Sequence, residues 1–204
     1  MRIMGERLKW LRAAANEILE GARKAIDSLD LDQVEKMINK ILEARDRKIF
    51  IIGMGRSGFV ARAFTLRLMN LGFNVYFIGE TVTPAVDKGD LLIAISGSGI
   101  TKMVLTASET AKQIGAYIIA VTSRPDSPLG QLADHVVVVK GRTKIAVQEN
   151  YLARQLSGER EPLTPLGTMF ENNCMIFLDS LIVELMYRLQ ATEMELWKRH
   201  ATIE

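Results

Sequence analysis

Five short apolar runs alternate with amphipathic stretches through the middle of this chain. They are Lys48-Ile49-Phe50-Ile51-Ile52, Val75-Tyr76-Phe77-Ile78, Leu91-Leu92-Ile93-Ala94-Ile95, Tyr117-Ile118-Ile119-Ala120-Val121 and His135-Val136-Val137-Val138-Val139. They are largely continuous rather than alternating, which predicts parallel strands covered on both faces. Helical spacing fills 59–71 and 102–114, and Gly72 and Gly115 stand where such helices stop. Alternating strands and helices predict an α/β fold: a three-layer, doubly wound, five-stranded parallel sheet of flavodoxin-like type. Right-handed crossovers and a 2-1-3-4-5 order would make strands one and three neighbours.

The flanks are helical. Leu8, Leu11, Ala15, Ile18, Leu19, Ala22 and Ile26 form one stripe over 5–27. A second helix is predicted over 31–45, with Asp30 or Ser28 as its cap. Residues 166–189 read as a long apolar helix and 192–199 as a short one. The chain thus divides into leading helices (1–45), a βα core (48–140) and closing helices (165–200) of a single domain spanning 1–204. Two leading helices exceed what a minimal doubly wound domain needs, so they cover a face, an edge or a partner subunit. Residues 140–165 are polar, broken by Gly and Pro, and read as a long connection lying over something.

Composition narrows the classes. Lys and Arg number 26 against 24 Asp and Glu, for a net charge of +2 spread along the chain. That balance makes no case for nucleic acid. No apolar run is long enough to span a bilayer as a helix, and the start of the chain lacks a signal-peptide core. Cys174 is the single cysteine, which excludes an intrachain disulfide. The expectation is a soluble cytoplasmic protein that binds neither nucleic acid nor membrane.

The chemistry gathers at two turns. Strand three runs into Ser96-Gly97-Ser98-Gly99-Ile100-Thr101, and a helix follows at once, with Thr101 at the N-cap position. A strand, a Gly-rich turn and a helix N-terminus together make an anion site suited to phosphate. An ordinary βα turn has the same composition. Gly53, Gly55 and Gly58 after strand one spell G-x-G-x-x-G, and Glu80 ends strand two near where a ribose-binding carboxylate belongs. A dinucleotide accounts for that first turn. One small phosphorylated ligand between adjacent turns accounts for both.

GMGRSG at 53–58, ISGSGIT at 95–101 and TSRPDSPLGQLADHVV at 122–137 resemble the sugar isomerase (SIS) domain, over about residues 30–190. GETVTP at 79–84, PLGTMFE at 165–171 and RHATIE at 199–204 resemble the 6-phospho-3-hexuloisomerase family in particular. The resemblance implies an isomerase that interconverts 3-hexulose 6-phosphate and fructose 6-phosphate through a cis-enediolate, within formaldehyde fixation by the ribulose monophosphate route. It implies no cofactor, no metal site and a homotetramer with shared active sites. It assigns the phosphate to Ser57, Ser96, Ser98 and Thr101, helped by loop N–H groups; the substrate-binding set expected from the two turns adds Gly55, Arg56, Gly97, Gly99 and Ile100. It assigns the proton transfers to Glu171 and His200. A non-catalytic phosphosugar sensor, or another aldose–ketose isomerase, would use the same loops.

The residues themselves leave alternatives. Glu171 heads an apolar row, Met175, Leu178 and Ile182, as a base would. It also completes a capping box with Thr168, unless the helix starts earlier at Thr164-Pro165. Arg56 either reaches the ligand or faces solvent. His200, the histidine outside the sheet, is either a proton carrier in a neighbouring subunit's site or a surface residue.

Overall fold

The computed structural model describes residues 8–141 and 163–199. Its elements are α1 (Lys9–Asp27), α2 (Leu31–Glu43), β1 (Lys48–Gly53), α3 (Arg56–Asn70), β2 (Asn74–Phe77), β3 (Leu91–Ile95), α4 (Lys102–Ile114), β4 (Tyr117–Thr122), α5 (Pro128–Leu132), β5 (His135–Val138), α6 (Thr168–Leu189) and α7 (Glu193–Lys198). The strands pair in parallel in the order β2-β1-β3-β4-β5. Register couples Ile51 to Ile93 and Ile93 to Ile119, so the strand ends that carry the loops are level.

Strand residues alternate between two cores. Ile49, Ile51, Ile93 and Ile119 face α2, α3 and α6, while Phe50, Ile52, Leu92 and Ile118 face α4 and α5. Both sets are buried, so the apolar runs are continuous, as a sheet covered on both faces requires. No helix joins β2 to β3. α2 and α6 cover the rest of that face, which accounts for part of the extra helical length. Gln33 of α2 also satisfies the β5 edge: its side chain accepts from Val138 N–H at 2.9 Å, and its carbonyl bonds the His135 ring at 2.7 Å. His135 is therefore structural.

Three features differ from expectation. α3 starts at Arg56, not Phe59, because Gly55 turns the chain at φ 57 and Gly58 N–H already bonds Gly55 C=O at 3.0 Å. Arg56 and Ser57 thus sit in a first helical turn rather than in a loop. The turn after β4 holds α5, capped by Ser127 with Pro128 in its first turn. On α1 the predicted stripe is buried only toward its end, at Ala22; Leu8, Leu11 and Leu19 stay exposed. α1 leans on α6, with Gly21 giving room to Met169, and extends past its support. At α2, Asp30 caps as expected, accepting from Asp32 and Gln33 N–H.

Candidate active site

Three helices begin at one pocket without a side-chain cap: α3 behind Gly55, α4 behind Thr101 and α6 behind Gly167. α2, α5 and α7 start elsewhere and carry side-chain caps, Asp30, Ser127 and Thr192. Uncapped N-termini leave donor N–H groups and the positive end of the helix dipole facing the cavity. The pocket holds about 450 Å³ at the carboxyl ends of β1 and β3, the switch point of this topology.

Both Gly-rich turns reach it. Arg56 and Ser57 line it from α3, and Ser96, Gly97, Ser98, Ile100 and Thr101 from the β3–α4 loop. Gly55 and Gly99 do not line it; they shape the turns. Gly99, at φ 64, lies so close to Ser127 that any Cβ would overlap its hydroxyl. Ser96 is buried, and its hydroxyl accepts from Gly99 N–H at 3.2 Å and lies 3.2 Å from Thr101 Oγ1. So Ser96 also builds the loop. Thr101 holds the N-cap place, but its hydroxyl turns to Ser96 instead of the helix. Ser98 is half-exposed, and among the described residues its hydroxyl makes a single long contact, 3.5 Å from Ile100 N.

Glu171 enters from the opposite wall. Neither of its local alternatives forms. The helix starts at Thr168 behind Gly167, so Glu171 N–H bonds Gly167 C=O at 3.1 Å and Thr168 is no cap. The Glu171 side chain instead meets Arg56, with Oε2 3.0 Å from Nε. A Cβ on Gly167, at φ 93, would stand 3.0 Å from Glu171 Oε1. The positive φ favours glycine there, and any Cβ would make the end of the carboxylate shift. The apolar row predicted around Glu171 is thus interrupted by a guanidinium. Glu80 pairs with Arg62 at 2.9 Å, and Thr83 ties its own turn to Phe77 C=O at 3.0 Å. A ribose-binding role for Glu80 finds no support in that geometry. His200 lies outside the described residues, as does most of 140–165.

A family model of the SIS domain matches residues 41–157. The chain belongs to the SIS domain family. An uncharacterized protein of Aeropyrum pernix is 50% identical over 88% of this chain and 86% of its own. The 3-hexulose-6-phosphate isomerase of Methanocaldococcus jannaschii is 41% identical over 84% of each chain. A Methanococcus jannaschii crystal structure, described as inferring a 3-hexulose-6-phosphate isomerase function, superposes with TM-score 0.73 at 40% identity, covering 95% of this chain and 98% of that one.

In this SIS domain the wall opposite the loops also includes Leu166, Gly167 and Phe170, which sequence reasoning passed over. They stand in the PLGTMFE motif, and only its glutamate was singled out. Among the described residues no helix is long and apolar enough to cross a membrane.

Cys174 lies one turn behind Glu171, fully buried. Burial pushes its thiol well up, and the Glu171 carboxylate adds to the effect. A raised folded value stabilises the fold below the ordinary thiol range and loses that contribution as pH rises through it. The native thiol is expected to resist a disulfide reagent at about pH 8, where ordinary thiols react, and to titrate fully once unfolded. The melting temperature should fall above about pH 9, less so in Cys174→Ala. Thiol titration and melting curves across pH check both.

Proposed function

We propose that this protein is a phosphosugar isomerase that interconverts 3-hexulose 6-phosphate and fructose 6-phosphate. The observation that carries the reading is one pocket in which Glu171, paired with Arg56, faces the N-termini of α3 and α4, which suit phosphate. Relatives named 3-hexulose-6-phosphate isomerase support the substrate.

The phosphate sits against Ser57, Ser96, Ser98 and Thr101 and the uncapped N–H groups of α3 and α4. Glu171 takes the proton from C2 of the 3-hexulose and returns it to C3, so one carboxylate serves both carbons. Between those steps the C2–C3 enediolate is held by Arg56 and loop N–H groups, and the hydroxyl proton passes from O2 to O3. The Arg56–Glu171 pair must open to admit substrate. Arg56 is 59% exposed and the Glu171 side chain 14%, so the guanidinium has room to swing toward water while the carboxylate stays in the pocket.

His200 serves the ring oxygen of a neighbouring subunit's substrate in this proposal. What supports action in trans is the anchoring of the residue before it. Arg199 Nη1 donates to Asn70 C=O at 3.3 Å, at the C-terminal end of α3. Arg56 opens that 15-residue helix, so the anchor lies roughly 20 Å along it from the pocket. A homotetramer accords with the apolar side chains left exposed on α3, α6 and α7, Phe59, Val183, Tyr187 and Trp197.

Proton exchange tests the reaction. Fructose 6-phosphate in deuterated water should gain label at C3, and 3-hexulose 6-phosphate should be consumed. Saturable binding without exchange would turn the reading to a sensor. Complementation tests the shared site: Glu171→Gln mixed with His200→Ala under verified subunit exchange should exceed either parent. No rise would place His200 in its own subunit's site or outside the mechanism.

A further inference from the structure

We propose that Phe170 is a positioning residue whose ring transmits the position of bound phosphate in the β3–α4 loop to the Glu171 carboxylate. This rests on the reading of that loop as the phosphate site and of Glu171 as the base. Phe170 is 1% exposed, yet it lines the pocket. A Cβ built on Gly97 would lie 2.7 Å from its Cδ1 and 2.8 Å from its Cγ. No real Cβ fits at that distance, so Gly97 leaves room for the ring to lie directly on the loop backbone.

The backbone of Phe170 is held from behind. A Cβ on Gly141 would fall 2.4 Å from Phe170 Cα and 2.7 Å from its N. The chain leaving β5 therefore presses on the first turn of α6. One turn later, buried Asn173 donates to Lys140 C=O at 2.7 Å. Upstream, the Glu17 carboxylate on α1 accepts from Leu163 N–H at 2.9 Å and from the Thr164 hydroxyl at 2.7 Å. The turn that carries Glu171 is thus fixed on the protein side, and the Phe170 ring joins it to the loop. Glu171 is the next residue on that fixed turn, so the ring's contact with Gly97 sets how far the phosphate loop stands from the turn that carries the carboxylate. Close packing makes such contacts stiff.

A filler of the core and a positioning residue differ in what they change. Phe170→Leu keeps an apolar side chain of similar size and is expected to lower kcat about a hundredfold, the effect of roughly 1 Å of misplacement. KM and the affinity for inorganic phosphate should stay near wild type. Gly97→Ala should lose both kcat and phosphate affinity, and adding Phe170→Leu should restore part of each. Turnover, phosphate calorimetry and melting temperature are read for all three. A folded Phe170→Leu with near-normal kcat overturns the proposal, and so does phosphate affinity that falls in step with kcat. Should Phe170→Leu fail to fold, Phe170→Met and Gly97→Ala probe the same contact, and normal kcat in either overturns it. Wild-type protein that binds no phosphate, or a Glu171→Gln protein with normal turnover, would instead refute the reading of the site itself.

Discussion

Glu171→Gln is expected to lower kcat roughly 10²- to 10⁴-fold, the range over which a positioned acid–base group acts. Glutamine keeps the shape and still fills the space beside Gly167, but it cannot take a proton from carbon. KM should change little, because the phosphate contacts lie on the other wall of the pocket. The fold should survive. Glu171 makes no cap, its replacement by glutamine buries no charge, and its partner Arg56 stays mostly exposed to water. C3 exchange in deuterated water would be lost with turnover. A Glu171→Gln protein with near-normal kcat would remove the carboxylate from the mechanism and leave the pocket a binding site.

The second large effect is expected on KM. Hydrogen bonds to a charged group contribute about 1.5–3 kcal/mol each, so Ser98→Ala should raise KM about ten- to hundredfold. Ser98 is half-exposed, so its loss should leave the fold intact. Ser96→Ala should raise KM further and also loosen the loop, because its buried hydroxyl accepts from Gly99 N–H. The Ser96→Ala/Ser98→Ala double variant should therefore show the largest KM and a modest drop in melting temperature. Unchanged KM in that folded variant would take the phosphate away from this loop. Steady-state kinetics and thermal melts on the three variants decide it.

These two predictions draw on different kinds of legibility. Continuous apolar runs separated by helical stretches point to parallel strands within a covered sheet, and glycines at 72 and 115 mark helix ends. Period and burial are local properties, so the five strands, their parallel pairing and the two Gly-rich turns were readable from the residues. So was the strand, glycine turn and helix form of both loops, because the turn chemistry that shapes them is carried by neighbours in the chain.

What stood across the pocket was not local. Glu171 had two sound assignments from its neighbours, a capping box with Thr168 or a place inside a helix begun at Pro165. The chain took neither. Gly167 became the cap position, and an arginine 115 residues earlier claimed the carboxylate. Likewise, nothing beside Thr101 showed that its hydroxyl would leave the helix for Ser96. Nothing beside Phe170 showed that Gly97 would make space for its ring. In each case several local hydrogen bonds or rotamers were close in energy. Contacts between distant segments, made only when the sheet brings α3, α4 and α6 to one edge, tipped the balance.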